Sequence, residues 1–330
     1  MSGTVLNLHL AHELIDSLQA IAASIFARHG VDFATVQRAG GWTNAVWLAD
    51  RLVLRLSTTR ENETLLREAR LAALFPPAVG YPTIVESGVT DGFAWSLAAR
   101  VPGRSLEEAW ARLRWEERAT ALRGLWERAQ AVHSVPAARA AVIVPQQAWF
   151  NATDPAEAEA GLARLTRRGI LGAPERRVLQ DALAHFWSAL PAAPHVLCHG
   201  DLTPGNAVWH AEQVVALLDF EFALMAPVQL DLNHLVKCAF GPEDGADPRS
   251  AAAFQGVQQL RQAVKEVARP MLAPQSGQDL LEGYAILLEL WLLELWLAHP
   301  EGEGPLEQWE PLRRLRSLAD GTGGYLASFR

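Results

Sequence analysis

Three side chains in one short stretch have the types and spacing to handle a phosphate and a hydroxyl. They are Asp201 and Asn206 in His199-Gly-Asp-Leu-Thr-Pro-Gly-Asn206, and Asp219 thirteen residues further on, in Leu-Leu-Asp219-Phe220-Glu221. The segment between them, "NAVWHAEQVVALLDF", reads as a hairpin with Ala211-Glu212 at its turn. With His210 opposite Gln213, Asn206 is expected opposite Leu217. Asp219 then lies about two residues of strand rise, roughly 7 Å, from Asn206. An amide oxygen and a carboxylate at that separation can share one Mg²⁺, a hard cation that takes oxygen ligands and keeps several waters. Asp201 sits on the loop before the hairpin, where Gly200 and Gly205 permit tight turning. A carboxylate held there can accept the proton of an attacking hydroxyl.

The elements that must hold these residues change character along the chain. Leu14, Ile15, Leu18, Ile21, Ala22, Ile25 and Phe26 have the spacing of an amphipathic helix over 11–28. Short strand-like runs follow in "FATVQRAG", "AVWLA" and "LVLRLS", then a helix over 61–75 that Pro76-Pro77 stops. "TIVESGVT" and "FAWSLAA" flank Asp91-Gly92, a hairpin signal. Beyond the turn at Pro102-Gly103 the pattern is mostly helical, over about 105–134, 155–166, 175–190, 249–270 and 276–298, with 140–155 as a loop and one β-rich patch at 195–222. The expected class is α+β: a small antiparallel β lobe over 1–98, a hinge over 99–105, and a larger helical lobe over 106–330 that carries the chemistry.

Composition narrows the function class. Half of the 330 residues are hydrophobic and a fifth are charged, which is a folding composition. The formal charge of −8, with no basic stripe, argues against a nucleic-acid partner. The most apolar run, Tyr284 to Leu297, is too short for a membrane span and contains Glu289 and Glu294, so a buried helix and no membrane partner are expected. No secretory leader pattern opens the chain. Without one, the acceptor pattern Asn151-Ala152-Thr153 predicts no glycan. Cys198 and Cys238 suggest neither a disulfide framework nor a metal knot, and a reducing, cytoplasmic setting is expected.

Asp201 and Asn206 keep the D-x-x-x-x-N spacing of the protein-kinase catalytic loop, and Asp219-Phe220 supplies the second element with Glu221 in place of glycine. "HGDLTPGN" and "LDFEFA" together resemble the aminoglycoside phosphotransferase and choline kinase-like family, relatives of protein kinases. "GGWTN" at 40–44 is similar to the family's nucleotide loop, "LREARLAALF" at 66–75 to the helix after its third strand, and "VPGRSL" at 101–106 to its post-hinge turn. The resemblance implies a bilobal protein-kinase-like fold. It also implies transfer of the γ-phosphate of ATP, or GTP, to a small-molecule hydroxyl with Mg²⁺.

By the same resemblance Asp201 is the base, and Asn206 and Asp219 hold Mg²⁺. His199 braces the loop and Asp231 hydrogen-bonds it from the following helix start. Gly40, Gly41, Thr43 and Asn44 cover the phosphates, and Ala99 and Val101 offer backbone groups to the base of the nucleotide. The lysine of the third strand is here Arg55, with Glu68 as the natural partner and Glu63 as the alternate. Glu289 is a candidate border of the acceptor pocket, and Trp149, Trp291 and Trp296 a candidate cage for a quaternary ammonium. Acceptors in such a family include aminoglycosides, choline or ethanolamine, homoserine, thiamine and methylthioribose. Arg55 and Glu221 leave open a second reading, a weak or inactive nucleotide-binding regulatory protein of the same fold. A protein kinase is disfavoured because "HGD" replaces "HRD" and no Ala-Pro-Glu element follows. Oligomeric state has no signal in the sequence.

Overall fold

The computed structural model describes residues 2–40, 43–144, 154–240, 251–298, 305–320 and 324–329. The chain divides into two compact units, Met1–Pro102 and Gly103–Arg330.

The first unit contains α1 (Ser2–Arg28), β1 (Gln37–Ala39), β2 (Asn44–Leu48), β3 (Leu52–Ser57), α2 (Thr64–Ala72), β4 (Ile84–Thr90) and β5 (Phe93–Ala99). Its strands form one antiparallel sheet in the order β1-β2-β3-β5-β4. The two periodicities of the sequence meet in its core. Leu18, Ile21, Ala22, Ile25 and Phe26 form one stripe of α1. The stripe joins a cluster with alternate residues of the sheet: Ala45, Trp47 and Ala49, then Leu54 and Leu56, then Phe93, Trp95 and Leu97. Arg55 falls between two of these inward residues, so its side chain leaves from the other face, the one met by α2. The β4–β5 turn is the predicted Asp91-Gly92, both with positive φ (52° and 83°), which a two-residue hairpin turn of this twist requires.

The second unit begins with β6 (Arg104–Ser105), α3 (Leu106–Trp110), α4 (Trp115–His133), α5 (Ala137–Ala140), α6 (Pro155–Arg167) and α7 (Ala173–Ala189). It continues with β7 (Val196–Cys198), β8 (Ala207–His210), β9 (Gln213–Leu217), β10 (Leu224–Ala226), α8 (Gln229–Phe240), α9 (Ala251–Leu272), α10 (Gln275–Ala298) and α11 (Glu310–Ala319). The single helix expected over 105–134 is therefore two. Glu117 accepts from the backbone N–H of Arg114 at 2.7 Å and opens a new N-terminus there, with no proline or glycine to announce the break. Among the described residues three helices were missing from the sequence reading: the short α5, α8 beyond its first residues, and α11. In α11, Leu312, Leu315 and Leu318 are buried at helical spacing. The apolar run of α10 is buried along most of its length, and among the described residues no helix is long and apolar enough to cross a membrane.

Candidate active site

The loop from His199 to Asn206 is held by the protein's own hydrogen bonds. β7 pairs with β10 and delivers the chain to His199. Asp231, on the first turn of α8, then clamps it. One carboxylate oxygen accepts from the N–H of His199 and the other from the N–H of Gly200, each at 2.9 Å. The first oxygen also meets Nε2 of His133 at 2.9 Å. Burial pushes the Asp231 carboxyl upward, but the bond and charge of His133 and the Gly200 N–H outweigh it and hold the group below the usual aspartate value.

His199 continues the brace. Its Nδ1 accepts from the N–H of Asp201 at 3.3 Å, so Nε2 is the protonated nitrogen and donates to the carbonyl of Leu218 at 2.9 Å. Its ring lies 4.4 Å from that of Phe220. Gly200 has φ +84°, and a Cβ there would run into the carbonyl oxygen of Phe222, so only glycine lets the two loops approach this closely.

Asp201 and Asn206 are in direct contact. The Asn206 Nδ2 donates to Oδ2 of Asp201 at 2.8 Å and to its backbone carbonyl at 3.0 Å. Both amide hydrogens are thereby used, which leaves Oδ1 of Asn206 as its available acceptor atom.

The hairpin differs from expectation by one residue. His210 does face Gln213, but Ala207, not Asn206, pairs with Leu217. A bulge between Val208 and Trp209 is the reason. Val208 pairs with Ala216 and Trp209 with Val214, so Val215 is the extra residue. The Val214 carbonyl is turned to Arg128 on α4, whose Nε and Nη2 donate to it at 3.2 and 3.0 Å. The shift has a consequence at the other end, where the Leu218 N–H reaches the Asn206 carbonyl at 2.8 Å. Asp219 is then the next residue after Asn206's own partner. It adopts φ +61°, a left-handed conformation that aspartate tolerates better than most residues and that recurs at functional sites.

In the first unit, Arg55 rather than its sequence neighbours meets α2. Its Nη1 donates to both oxygens of Glu68 at 2.8 and 2.7 Å, and the Tyr81 hydroxyl donates to the same carboxylate at 2.9 Å. Glu68 is only 1% exposed, so of the two candidate partners it is the buried one that the arginine reaches. Asn44 donates to the Thr43 hydroxyl at 3.1 Å, and the Thr43 carbonyl accepts from Thr58 at 3.0 Å. Gly40 borders open space, and Gly41 lies outside the described residues. The Ala99 N–H is bonded to Thr83 at 2.9 Å, with Val101 two residues further on.

Glu289 has no exposed surface. Its carboxylate is met by Lys237 at 2.9 Å and Arg314 at 3.7 Å, and Arg314 also pairs with Glu310. Trp296 stacks edge-on against Trp309 with centroids 6.0 Å apart, and Trp149 is outside the described residues. Sequence reasoning missed His133, His234, Lys237 and Arg314. His234 and Lys237 follow Asp231 at three-residue steps, the spacing of one helix face, which is the signal that could have found them. His133 carries no such signal. It ends α4, 98 residues before its partner. His133, Cys198 and Asp231 also lie close enough to one another to suggest a metal site. The carboxylate is already spent on three donors, and burial raises the Cys198 thiol far above its usual value, so this cluster is a brace.

The phosphotransferase enzyme family model matches residues 35–297. An aminoglycoside 3'-phosphotransferase from Streptomyces ribosidificus is 26% identical over 166 residues, which are 49% of this chain; the match spans only 60% of that relative's length. Among solved structures, the GDP complex of an aminoglycoside 2'-phosphotransferase-IIIa superposes with a TM-score of 0.62 at 17% identity, over 86% of this chain and 92% of that one. A choline/ethanolamine kinase family protein from Mesorhizobium loti gives 0.61 at 19% identity, over 96% and 98%. Both share the bilobal kinase-like fold expected from the sequence.

Proposed function

Since the chain belongs to the phosphotransferase enzyme family, we propose that it transfers the γ-phosphate of ATP or GTP to a hydroxyl of a small molecule, with Asp201 as the base. The observation that carries this reading is the bond from Asn206 to Asp201, with the Leu218–Asn206 contact bringing Asp219 to the same end of the hairpin.

The donor set fits Mg²⁺. Asn206 keeps its Oδ1 for a cation because its Nδ2 is engaged by Asp201, and Asp219 adds a carboxylate, so both ligands are hard oxygens. When bound, the ion would neutralise charge on the β- and γ-phosphates. The chain's own groups do the rest. Asp201 accepts the proton of the acceptor hydroxyl as its oxygen attacks the γ-phosphorus, and the bond from that phosphorus to the β-bridging oxygen breaks. Asn206 fixes which carboxylate oxygen faces the acceptor. Asp231 and His199 hold the loop so that this geometry exists beforehand. Arg55, oriented by Glu68, serves the α- and β-phosphates. Thr43, Asn44 and the Gly40-Gly41 backbone cover the phosphates, and Ala99 and Val101 meet the nucleotide base. Residues 1–98 supply the nucleotide part and 106–330 the catalytic loop and acceptor part, with Glu289 on the acceptor side as the anchor of Lys237 and Arg314.

Solved relatives hold GDP with kanamycin, or ADP with hygromycin B. These two, with choline, ethanolamine and homoserine, open the acceptor panel. Release of ADP or GDP is the readout. Acceptor-dependent release that disappears in Asp201→Asn supports the reading. Nucleotide binding with no transfer to any hydroxyl would favour the regulatory alternative.

A further inference from the structure

Asp201 has two carboxylate oxygens, and the bonds above account for one. Oδ2 belongs to Asn206. Oδ1 faces Nδ1 of His234 at 3.9 Å, which is too long for a hydrogen bond. His234 sits on α8, one turn after the clamp residue Asp231, and is 5% exposed. Asp201 is different, with its side chain 29% exposed. A small group can therefore reach the carboxylate while the imidazole stays enclosed.

The 3.9 Å gap is the right size for one oxygen atom. An oxygen about 2.8 Å from both Nδ1 and Oδ1 closes a triangle with an angle of about 90° at that oxygen. The ring is set up to donate into this gap. Its Nε2 is buried and has no partner among the described residues. A buried N–H without an acceptor is rarer and more costly than an unused lone pair, so the proton of a neutral ring belongs on Nδ1. Burial pushes the imidazole below its usual pKa, and the charge of Lys237 acts in the same sense, while Asp201 and Asp231 pull the other way.

We infer that His234 is a second contact of the attacking hydroxyl. Its Nδ1–H donates to one lone pair of the acceptor oxygen while Oδ1 of Asp201 receives that oxygen's proton. The remaining lone pair is then aimed and forms the bond to phosphorus, as the bond from phosphorus to the β-bridging oxygen breaks. His234 gives up no proton in the step. It selects one orientation of a hydroxyl that Asp201 alone would leave free to rotate. The inference rests on the phosphotransferase reading and deepens it.

The test uses the full chain with Mg-ATP and Mg-GTP and takes water as the acceptor, since a water oxygen fills the same gap. His234→Leu removes the donor, and His234→Asn returns an N–H close to the position of Nδ1. The expected result is a drop of about 100-fold in the kcat of nucleotide hydrolysis for His234→Leu. Nucleotide KM should stay unchanged, and His234→Asn should recover most of the loss. Equal kcat for wild type and His234→Leu, beside an inactive Asp201→Asn, would overturn the His234 assignment alone. Undiminished turnover by Asp201→Asn would instead overturn the reading of Asp201 as base. The ring also answers independently of turnover or of how well a variant folds. Nitrogen NMR of the imidazoles in the unliganded wild type should show His234 as the Nδ1–H tautomer, and an Nε2–H tautomer there rules the proposal out.

Discussion

Asn206 donates one amide group to both the side chain and the backbone carbonyl of Asp201, at 2.8 and 3.0 Å. Two residues that serve different ends of the proposed reaction are thus one rigid unit. Asp201→Asn should keep the fold and nucleotide affinity but lower kcat by about a thousandfold, within the range general-base removal produces. Asn206→Ala should lower kcat and also raise the Mg²⁺ concentration for half-maximal rate, because it would remove a proposed ligand and free the Asp201 carboxylate. A magnesium titration of the two variants separates these effects. An unchanged magnesium midpoint in Asn206→Ala would count against its role as ligand.

How much of this was legible beforehand depends on distance along the chain. The Asn206–Asp219 neighbourhood was readable because a hairpin is a local object, and its turn at Ala211-Glu212 is where expected, both residues with positive φ. The one-residue bulge was not readable. Val214 and Val215 are chemically alike, and the Val214 carbonyl meets Arg128, 86 residues away. The same holds for His133 and His234, whose roles come from helix packing. Arg55 and Glu68 fall between these cases. The resemblance named Arg55 with Glu68 as its natural partner and Glu63 as the alternate, and the arginine reaches the buried Glu68. α11 was legible from its leucines and was passed over.

Arg55 offers a test in the first unit. Its guanidinium is the cation for a Glu68 carboxylate that is nearly fully enclosed. Removing one partner of a buried pair commonly costs about 3 kcal/mol or more. Arg55→Ala should lower unfolding free energy by about that amount and raise nucleotide KM. Arg55→Lys should recover stability, since a single nitrogen, Nη1, makes both contacts to Glu68. Denaturant unfolding and nucleotide titration measure the two consequences separately. Stability restored without nucleotide KM would show that the phosphates need the guanidinium fork itself.

At Gly200 the loop from His199 to Asn206 packs tightly against the segment after Asp219. A β-carbon at this position meets the Phe222 carbonyl, and the left-handed φ adds its own strain. Backbone cannot move aside as a flexible side chain can. Gly200→Ala should cost at least about 2 kcal/mol of stability. It should also reduce kcat in the fraction that remains folded, because Asp201 is the next residue. Gly40→Ala is the control, since its added carbon would meet open space. Thermal melts of the pair should differ by several degrees.

Asp231 gives the acid limb of stability a specific origin. Its carboxyl is held below the usual aspartate value of 3.8 in the folded chain and returns to that value when unfolded. A group depressed on folding contributes fully at pH values above its unfolded pKa. The contribution is lost as pH falls from there through the lower folded value. In Asp231→Asn the amide oxygen replaces only one acceptor, and its NH₂ is set against the N–H donors of His199 or Gly200. At pH 7 the variant should be less stable than wild type by about 3 kcal/mol or more. The gap should narrow in urea unfolding as the pH is taken below 3.8, where wild type protonates the same carboxyl that the variant lacks. A gap that stays constant to pH 2 would place the source of acid sensitivity elsewhere.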